Sequence, residues 1–192
     1  TFKNIYGYGL MNEPHDLTPE TSWFDMAQAS INAIREVDTN TLIMVGGNDW
    51  SSAERWIEQS DTLKYLKDPA NNLAFEAHVY FDKDASGTYK YSYEEEECYP
   101  EKGIDRVKPF VEWIKQNKFH GFIGEYGIPD NDPRWNETLD LFLGYLQENG
   151  INGTYWAAGP WWDSYFMAIT PKDGKDRPQM PIIEKHTSTL KK

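Results

Sequence analysis

Residues 5–14 read IYGYGLMNEP, an apolar run that ends in a glutamate, Glu13, and a turn-forming proline. A second run, FHGFIGEYG at residues 119–127, has the same form and carries Glu125 near its end. A carboxylate at the point where a buried strand meets a loop is costly to bury, so it is more often functional than structural. The two glutamates are therefore the first candidates for a functional site, although each could also be an ordinary turn residue.

Strand and helix signals alternate along the chain on both sides of these two runs. The apolar patterns predict strands at 4–11, 41–45, 73–80, 119–124 and 153–157. Helical periodicity predicts helices at 19–37, 103–117 and 134–149, a short helix near 52–59 and a weaker one near 180–189, with a polar loop at 83–102. Strands that alternate with helices indicate a parallel sheet with crossover helices, which is an α/β fold.

Polar and aromatic candidates fall at the carboxyl ends of the predicted strands. They are Asn12, Glu13, Asn48, Trp50, His78, Tyr80, Glu125 and Trp156. A (β/α)8 barrel has its active site on that face, whereas a doubly wound sheet usually binds its ligand at one crevice. Because five strands contribute candidates, and because no dinucleotide or P-loop motif is present, the sequence favours the barrel.

The composition narrows the class of protein. A formal charge of −12 disfavours nucleic-acid binding, and no apolar stretch is long enough for a transmembrane helix. Aromatic residues make up 15% of the chain, including eight tryptophans, and their faces suit stacking on sugar rings, although they could also fill a core. The lone Cys98 cannot form an internal disulfide and says little about the compartment.

Two carboxylates at one end of a sheet supply what cleavage of a glycosidic bond needs, a proton donor and a nucleophile or base.

Residues 82–87 resemble the start of a calcium loop, but the twelfth position is Tyr93 rather than glutamate. We therefore expect neither a metal nor a cofactor.

The motif LMNEPH at residues 10–15 resembles the acid/base signature of glycoside hydrolase family 5, the cellulase family A. His78-Val79-Tyr80, the run IGEYG at 123–127, and Trp156 follow in the order that this family shows. The resemblance implies a (β/α)8 TIM barrel that is incomplete here, with strands four to eight and their helices. On this view residues 1–192 are the C-terminal part of one catalytic barrel, and its first three βα units are absent.

The resemblance also implies roles for individual residues. Glu13 is expected to be the general acid/base and Glu125 the nucleophile, with Tyr80 holding Glu125. The other expected contacts are Asn12 on a sugar hydroxyl, His78 on the acid/base side, Trp156 under the sugar, and Trp50 and Trp161 along the substrate. For three of these residues an alternative stays open, since His78 and Trp156 could belong to the core and Trp161 could cap the barrel.

The expected activity is that of a retaining endo-β-1,4-glucanase acting on a β-glucan polysaccharide or oligosaccharide. A mannanase, a mixed-linkage glucanase, or a non-catalytic carbohydrate-binding or assembly fragment are the alternatives. The expected partner is the missing N-terminal half of the barrel, without which the chain should have little activity. The resemblance further implies an extracellular, secreted protein.

Overall fold

The computed structural model describes residues 4–18 and 20–187. The strands are β1 (Gly7–Gly9), β2 (Leu42–Gly46), β3 (Leu73–His78), β4 (His120–Tyr126) and β5 (Asn152–Tyr155). The helices are α1 (Trp23–Arg35), α2 (Asn48–Ser51), α3 (Trp56–Ser60), α4 (Lys102–Asn117), α5 (Arg134–Glu148) and α6 (Met180–His186), with 3-10 turns at Asp61–Tyr65 and Pro160–Trp162. None of the helices within this described part of the chain is long and apolar enough to cross a membrane.

The five strands form one sheet in sequential order, β1-β2-β3-β4-β5. They run parallel, with Gly7 opposite Leu42 and Ile43 opposite Leu73. Parallel strands need a crossover between them, and helices fill that place along this chain. The arrangement confirms the predicted α/β fold with the topology of consecutive βα units of a (β/α)8 barrel.

The chain divides into two compact units. The first contains the described residues up to His78 together with Lys108–Phe122, and the second contains Val79–Val107 and the described residues from Ile123 onward. Strand β4 begins in the first unit and ends in the second.

The first unit has an aromatic core beside β3 and α4. The ring centroids of Trp56 and Phe110 are 4.6 Å apart, and those of Phe75 and Trp113 are 4.9 Å apart. Both pairs meet edge to face, which is a favourable arrangement of ring quadrupoles. Since Trp56, Phe75 and Phe110 are almost fully buried, this cluster fixes β3 and α4 against each other.

The second unit packs α5 against the loop after β3 and the end of β4. Phe142 of α5 meets Phe81 at 5.2 Å and Tyr126 at 5.3 Å between ring centroids. Phe81, Ile123 and Phe142 have no exposed surface. This core fixes the segment after β3 and the last residues of β4, which carry two of the candidate site residues.

The bounds of several elements differ from the sequence predictions, most clearly at β1, at α1 and in the segment after β2. Strand β1 is shorter than the predicted 4–11, because the chain turns soon after the bond from Leu10 N to Met44 O. Helix α1 begins at Trp23, because the Ser22 side chain caps it by accepting a hydrogen bond from Asp25 N. The predicted start at residue 19 lies outside the described residues. The predicted helix at 52–59 is replaced by α2 and α3, and the predicted helix near 180–189 is α6, with 188 and 189 outside the described residues.

Candidate active site

Glu13 lies in the first unit, in the turn that follows β1. Its backbone is left-handed, with φ of 45°, and its carboxylate Oε1 lies 2.7 Å from Nδ1 of His78. His78 is the last residue of β3, and its ring is only 4% exposed, whereas the Glu13 side chain is 26% exposed. The carbonyl oxygen of His78 accepts a hydrogen bond from Ala53 N, which fixes the end of the strand. Glu13 is thus a partly exposed carboxylate held by a buried imidazole.

A second carboxylate lies near the other nitrogen of the His78 ring. Nε2 of His78 is 3.5 Å from Oε1 of Glu76, which lies two residues earlier on β3. A neutral imidazole can donate a hydrogen bond to one carboxylate and accept one from the other group when that group is a protonated carboxyl. A protonated imidazole donates to both carboxylates. This arrangement orders the Glu13 side chain and can adapt to either protonation state of its carboxyl group.

Glu125 lies in the second unit, near the end of β4. The hydroxyl of Tyr80 donates a hydrogen bond of 2.8 Å to Oε2 of Glu125, and Val79 N donates to the Glu125 carbonyl oxygen. Burial raises the pKa of Tyr80 well above its ordinary value, and the negative charge of Glu125 raises it further. Tyr80 therefore remains a proton donor at every ordinary pH, and a donated hydrogen bond favours the charged form of a carboxylate.

Arg106 of α4 fixes the backbone of Tyr80. Its Nη1 donates to the Tyr80 carbonyl oxygen over 2.5 Å, and its Nη2 donates to the carbonyl oxygen of Lys83. The arginine, which no sequence motif had indicated, thus ties the loop after β3 to the helix. It fixes the backbone from which the Tyr80 side chain extends.

Trp156 follows β5 and belongs to a group of aromatic side chains. Its backbone N–H donates to the Tyr126 carbonyl oxygen, and its ring meets that of Trp162 at 4.9 Å and 67°. Trp161 has 89% of its surface exposed. The structure therefore places Trp156 on a support of other rings and leaves Trp161 open to solvent.

Tyr165 also belongs to this group, although no sequence motif indicated it. Its ring lies 5.0 Å from that of Trp162. Burial raises the pKa of Tyr165, a hydrogen bond with the Trp156 side chain opposes this rise, and the charge of Glu125 adds to it. The only available signal was the aromatic run WWDSYF at 161–166, because nothing in its spacing tells which ring turns toward a carboxylate.

Two further candidates, Asn12 and Trp50, also lie in the first unit. Trp50 is 43% exposed and stacks on the ring of His15, with centroids 4.4 Å apart and planes 13° from parallel. Asn12 is exposed immediately before Glu13. Asn12 thus adjoins Glu13 along the chain, and Trp50 is linked through His15 to the turn that carries Glu13.

The calcium-like residues at 82–87 have a local structural use. The buried carboxylate of Asp82 accepts hydrogen bonds from the backbone N–H groups of Gly87, Thr88 and Tyr89 and from the Ser86 hydroxyl. These donors use the lone pairs that a cation would need. The pattern is therefore explained by the folding of the loop.

Comparison with known proteins supports the same assignment of the chain. Residues 3–161 match the family model described as Cellulase (glycosyl hydrolase family 5). The chain is 38% identical over 168 residues to the probable endo-beta-1,4-glucanase B of Aspergillus kawachii, covering 85% of this chain and 48% of that protein. It is 37% identical over 177 residues to the endo-beta-1,4-glucanase B of Emericella nidulans, covering 90% and 51%.

A solved structure agrees in fold as well as in sequence. The endoglucanase Cel5A of Pseudomonas stutzeri in complex with cellobiose superposes with a TM-score of 0.87 and 45% identity, covering 94% of this chain and 54% of that one. The chain spans about half the length of the curated relatives it matches. Sequence and fold agree over nearly the whole chain, which therefore belongs to the cellulase family, glycosyl hydrolase family 5.

Proposed function

We propose that the chain is the C-terminal part of a retaining endo-β-1,4-glucanase that cleaves β-1,4-linked glucan through a glycosyl-enzyme intermediate. The observation that carries the proposal is the hydrogen bond of 2.8 Å from the Tyr80 hydroxyl to Glu125, in a chain that matches the cellulase family. The endoglucanase names of the relatives, and the cellobiose bound to the Pseudomonas stutzeri enzyme, support β-glucan as the substrate class.

Glu125 is the proposed nucleophile. It attacks the anomeric carbon as a carboxylate, so it must stay ionised while it waits for the substrate. The Tyr80 hydroxyl stabilises that ionised form, because its own pKa is raised too far for it to lose its proton. Attack forms the ester between Glu125 and the sugar and releases the leaving-group oxygen.

Glu13 is the proposed general acid/base. Its proton passes to the leaving-group oxygen in the first step, and the resulting carboxylate then takes a proton from the water that hydrolyses the ester. The contact of 2.7 Å with His78 supports this role, because it orients the carboxyl group and tolerates both of its protonation states. Retention of configuration requires the two carboxyl groups to work about 5–5.5 Å apart.

Aromatic faces bind the sugar in this proposal. Trp156 lies under the sugar at the cleavage point, and Trp50 and Trp161 contact neighbouring sugars, while Asn12 bonds the hydroxyl beside the reacting carbon. The exposure of Trp50 and Trp161 leaves ring faces available for such stacking. A polymeric β-glucan is found outside cells, so we also propose that the protein acts extracellularly.

The test uses the chain joined behind the N-terminal βα units of the Pseudomonas stutzeri relative. This hybrid should release reducing ends from carboxymethylcellulose. Glu125→Gln should lower kcat roughly 10³-fold or more, because the nucleophile is lost. Glu13→Gln should lose less on an aryl cellobioside than on the polymer, since a good leaving group needs little protonation. The matched control is Glu58→Gln on the exposed side of α3, which should keep full activity.

Three results would each contradict a part of the proposal. Full activity in Glu125→Gln would exclude the nucleophile assignment. Sugar binding that both glutamine variants leave intact, with no turnover by the unchanged hybrid, would instead indicate a carbohydrate-binding fragment. Faster cleavage of mannan or mixed-linkage glucan than of carboxymethylcellulose would move the substrate assignment within the family.

A further inference from the structure

Three consecutive residues after β2 have a left-handed backbone. Asp49, Trp50 and Ser51 have φ values of 56°, 55° and 54°. This region is sparsely populated for residues other than glycine, and a run of three persists only where the surroundings hold it. An outlier of this kind is a reason to look for a function at the side chain it presents.

Contacts on both sides hold the segment in place. The carboxylate of Asp49 pairs with Nε of Arg55, and the Asp49 carbonyl oxygen accepts from Ser52 N over 3.1 Å. The Ser51 hydroxyl donates to the Gly47 carbonyl oxygen over 3.3 Å. The backbone is therefore fixed before and after Trp50, while the orientation of the indole about its side-chain torsions depends on the contacts that the ring makes.

The indole of Trp50 has one covered face and substantial exposed surface. The imidazole of His15 covers the face at a centroid distance of 4.4 Å and an angle of 13°, while 43% of Trp50 remains exposed. Nδ1 of His15 lies 2.8 Å from Oδ2 of Asp16, which holds the imidazole in its plane. The result is a two-layer stack with its outer layer open to a ligand.

We propose that His15 is a positioning residue that holds Trp50 flat as a stacking platform for a pyranose ring on the leaving-group side of the scissile bond. The inference rests on the proposed function, because it takes Glu13 as the acid. The acid must lie beside the leaving-group oxygen, and His15 follows Glu13 by two residues. Trp50, which stacks on His15, is thus well placed to contact the sugar of the leaving group.

The chemistry of the platform fits a pyranose rather than a charged or extended apolar ligand. The axial C–H groups of a β-linked glucose ring form a flat apolar face that matches an indole in size. Polar side chains adjoin the stack and can bond sugar hydroxyls: Asp49 precedes Trp50 and pairs with Arg55, and Asp16 contacts His15. Removing His15 should let Trp50 tilt and should weaken stacking without touching the reacting atoms.

The test compares three replacements of His15 in the hybrid described above. His15→Ala removes the ring, His15→Phe keeps a flat ring without the contact to Asp16, and His15→Gln keeps a polar group without the ring. His120→Ala is the matched control, because His120 is exposed at the first residue of β4, the opposite end of the strand from Glu125. Each protein is labelled with 5-fluorotryptophan, and Trp50→Phe assigns the Trp50 resonance in the fluorine NMR spectrum.

Besides the NMR spectra, enzyme kinetics compare a substrate that has sugars on the leaving-group side with one that does not. The ratio of kcat/KM for cellopentaose to that for an aryl cellobioside should fall roughly three- to tenfold in His15→Ala, as expected for a lost aromatic contact. The change should come mainly from KM. His15→Phe should restore most of this ratio, whereas His15→Gln should not. In the fluorine NMR spectra, the Trp50 resonance should shift in His15→Ala and His15→Gln but not in the control His120→Ala.

Opposite results are easily recognised. An unmoved Trp50 resonance in His15→Ala, an equal loss on both substrates, or a Phe variant no better than Ala would overturn the inference. If the hybrid hydrolyses neither substrate, the proposed function fails and the sugar platform fails with it. The resonance shifts would still decide whether His15 positions Trp50.

Discussion

At the scale of single residues, close hydrogen-bonding side chains hold the two candidate carboxylates. Tyr80 donates a hydrogen bond to Glu125, and His78 contacts Glu13, in each case over less than 3 Å. The same principle operates away from the site. Arg35 of α1 and Asp68 form a two-pronged pair, with Nε to Oδ1 at 2.7 Å and Nη2 to Oδ2 at 2.9 Å, and both side chains are almost fully buried.

Asp68→Asn should therefore destabilise the protein. The hydrogen bonds from Arg35 hold the pKa of Asp68 below its ordinary value, and bonds from Asn72 N and Ala70 N lower it further. A lowered folded-state pKa contributes stability that is complete above about pH 4 and is lost as the pH falls below that value. Removing the carboxylate leaves the buried guanidinium without its charge partner, at a cost of roughly 3 kcal/mol at pH 7.

Urea denaturation at pH 7 and pH 3 measures both parts of this prediction. The difference in unfolding free energy between the hybrid described above and its Asp68→Asn variant should be large at pH 7 and smaller at pH 3. The control is Asp176→Asn, because Asp176 is exposed. Equal destabilisation at the two pH values would show that packing, rather than the ion pair, explains the effect.

Sequence patterns at this scale identified the residues with strong motifs and missed those placed by long-range folding. Glu13 and Glu125 end apolar runs, so their places at strand ends could be predicted. Arg106 reaches the Tyr80 carbonyl from α4, 26 residues further along the chain, and Tyr165 comes to Trp162 through a loop turn. No local pattern encodes such contacts, because they depend on how distant elements pack.

At the scale of elements, the positions of strands and helices followed from periodicity, while their ends depended on single contacts. Ser22 decides where α1 begins, and the side chain of Trp23 then donates to the Gly46 carbonyl oxygen at the end of β2. The helix expected at 52–59 changed because left-handed residues precede it. Backbone outliers of this kind cannot be seen in apolar spacing.

The ends of β4 and β5 approach so closely that a glycine is required between them. A Cβ on Gly127 would meet the carbonyl oxygen of Trp156, and it would lie 3.0 Å from the sulfur of Met167. Gly127→Ala should therefore cost about 1–3 kcal/mol through overpacking. Because the same contact moves Trp156, the hybrid should also lose activity.

Gly144→Ala is the matched control for this change. Gly144 lies inside α5, and its added Cβ would have only an ordinary contact of 3.7 Å with His186. Alanine is the better helix former by up to about 1 kcal/mol, so in the hybrid this variant should be as stable as the unchanged protein or more stable. Thermal unfolding followed by circular dichroism compares the two, and a stable, fully active Gly127→Ala would show that the strand ends can separate at little cost.

At the scale of the whole molecule, the sheet ends in two strands that each have one neighbour among the described residues. β1 and β5 occupy the two ends of the strand order. In the second unit, β5 also borders a cavity of about 670 Å³. Its apolar lining consists mainly of Leu143, Leu146, Ile151, Ile169 and Ile183. Unpaired N–H and C=O groups next to apolar side chains form a surface on which another strand can add.

Residues 1–192 expressed by themselves should therefore be oligomeric or prone to aggregate. The open edges of β1 and β5 can pair with similar strands of another copy, which satisfies their backbone groups and covers apolar surface. Glucanase activity should be little or none. The family resemblance implies that an arginine and a histidine on the first three βα units brace the nucleophile and the sugar. Without them, electrostatic preorganisation around Glu125 is incomplete. Light scattering and reducing-sugar release on the same sample measure both properties. Joining the N-terminal βα units of the relative should yield a monomer and restore turnover, whereas a monodisperse 192-residue monomer with brisk turnover would show that the chemistry needs less of the barrel than these edges indicate.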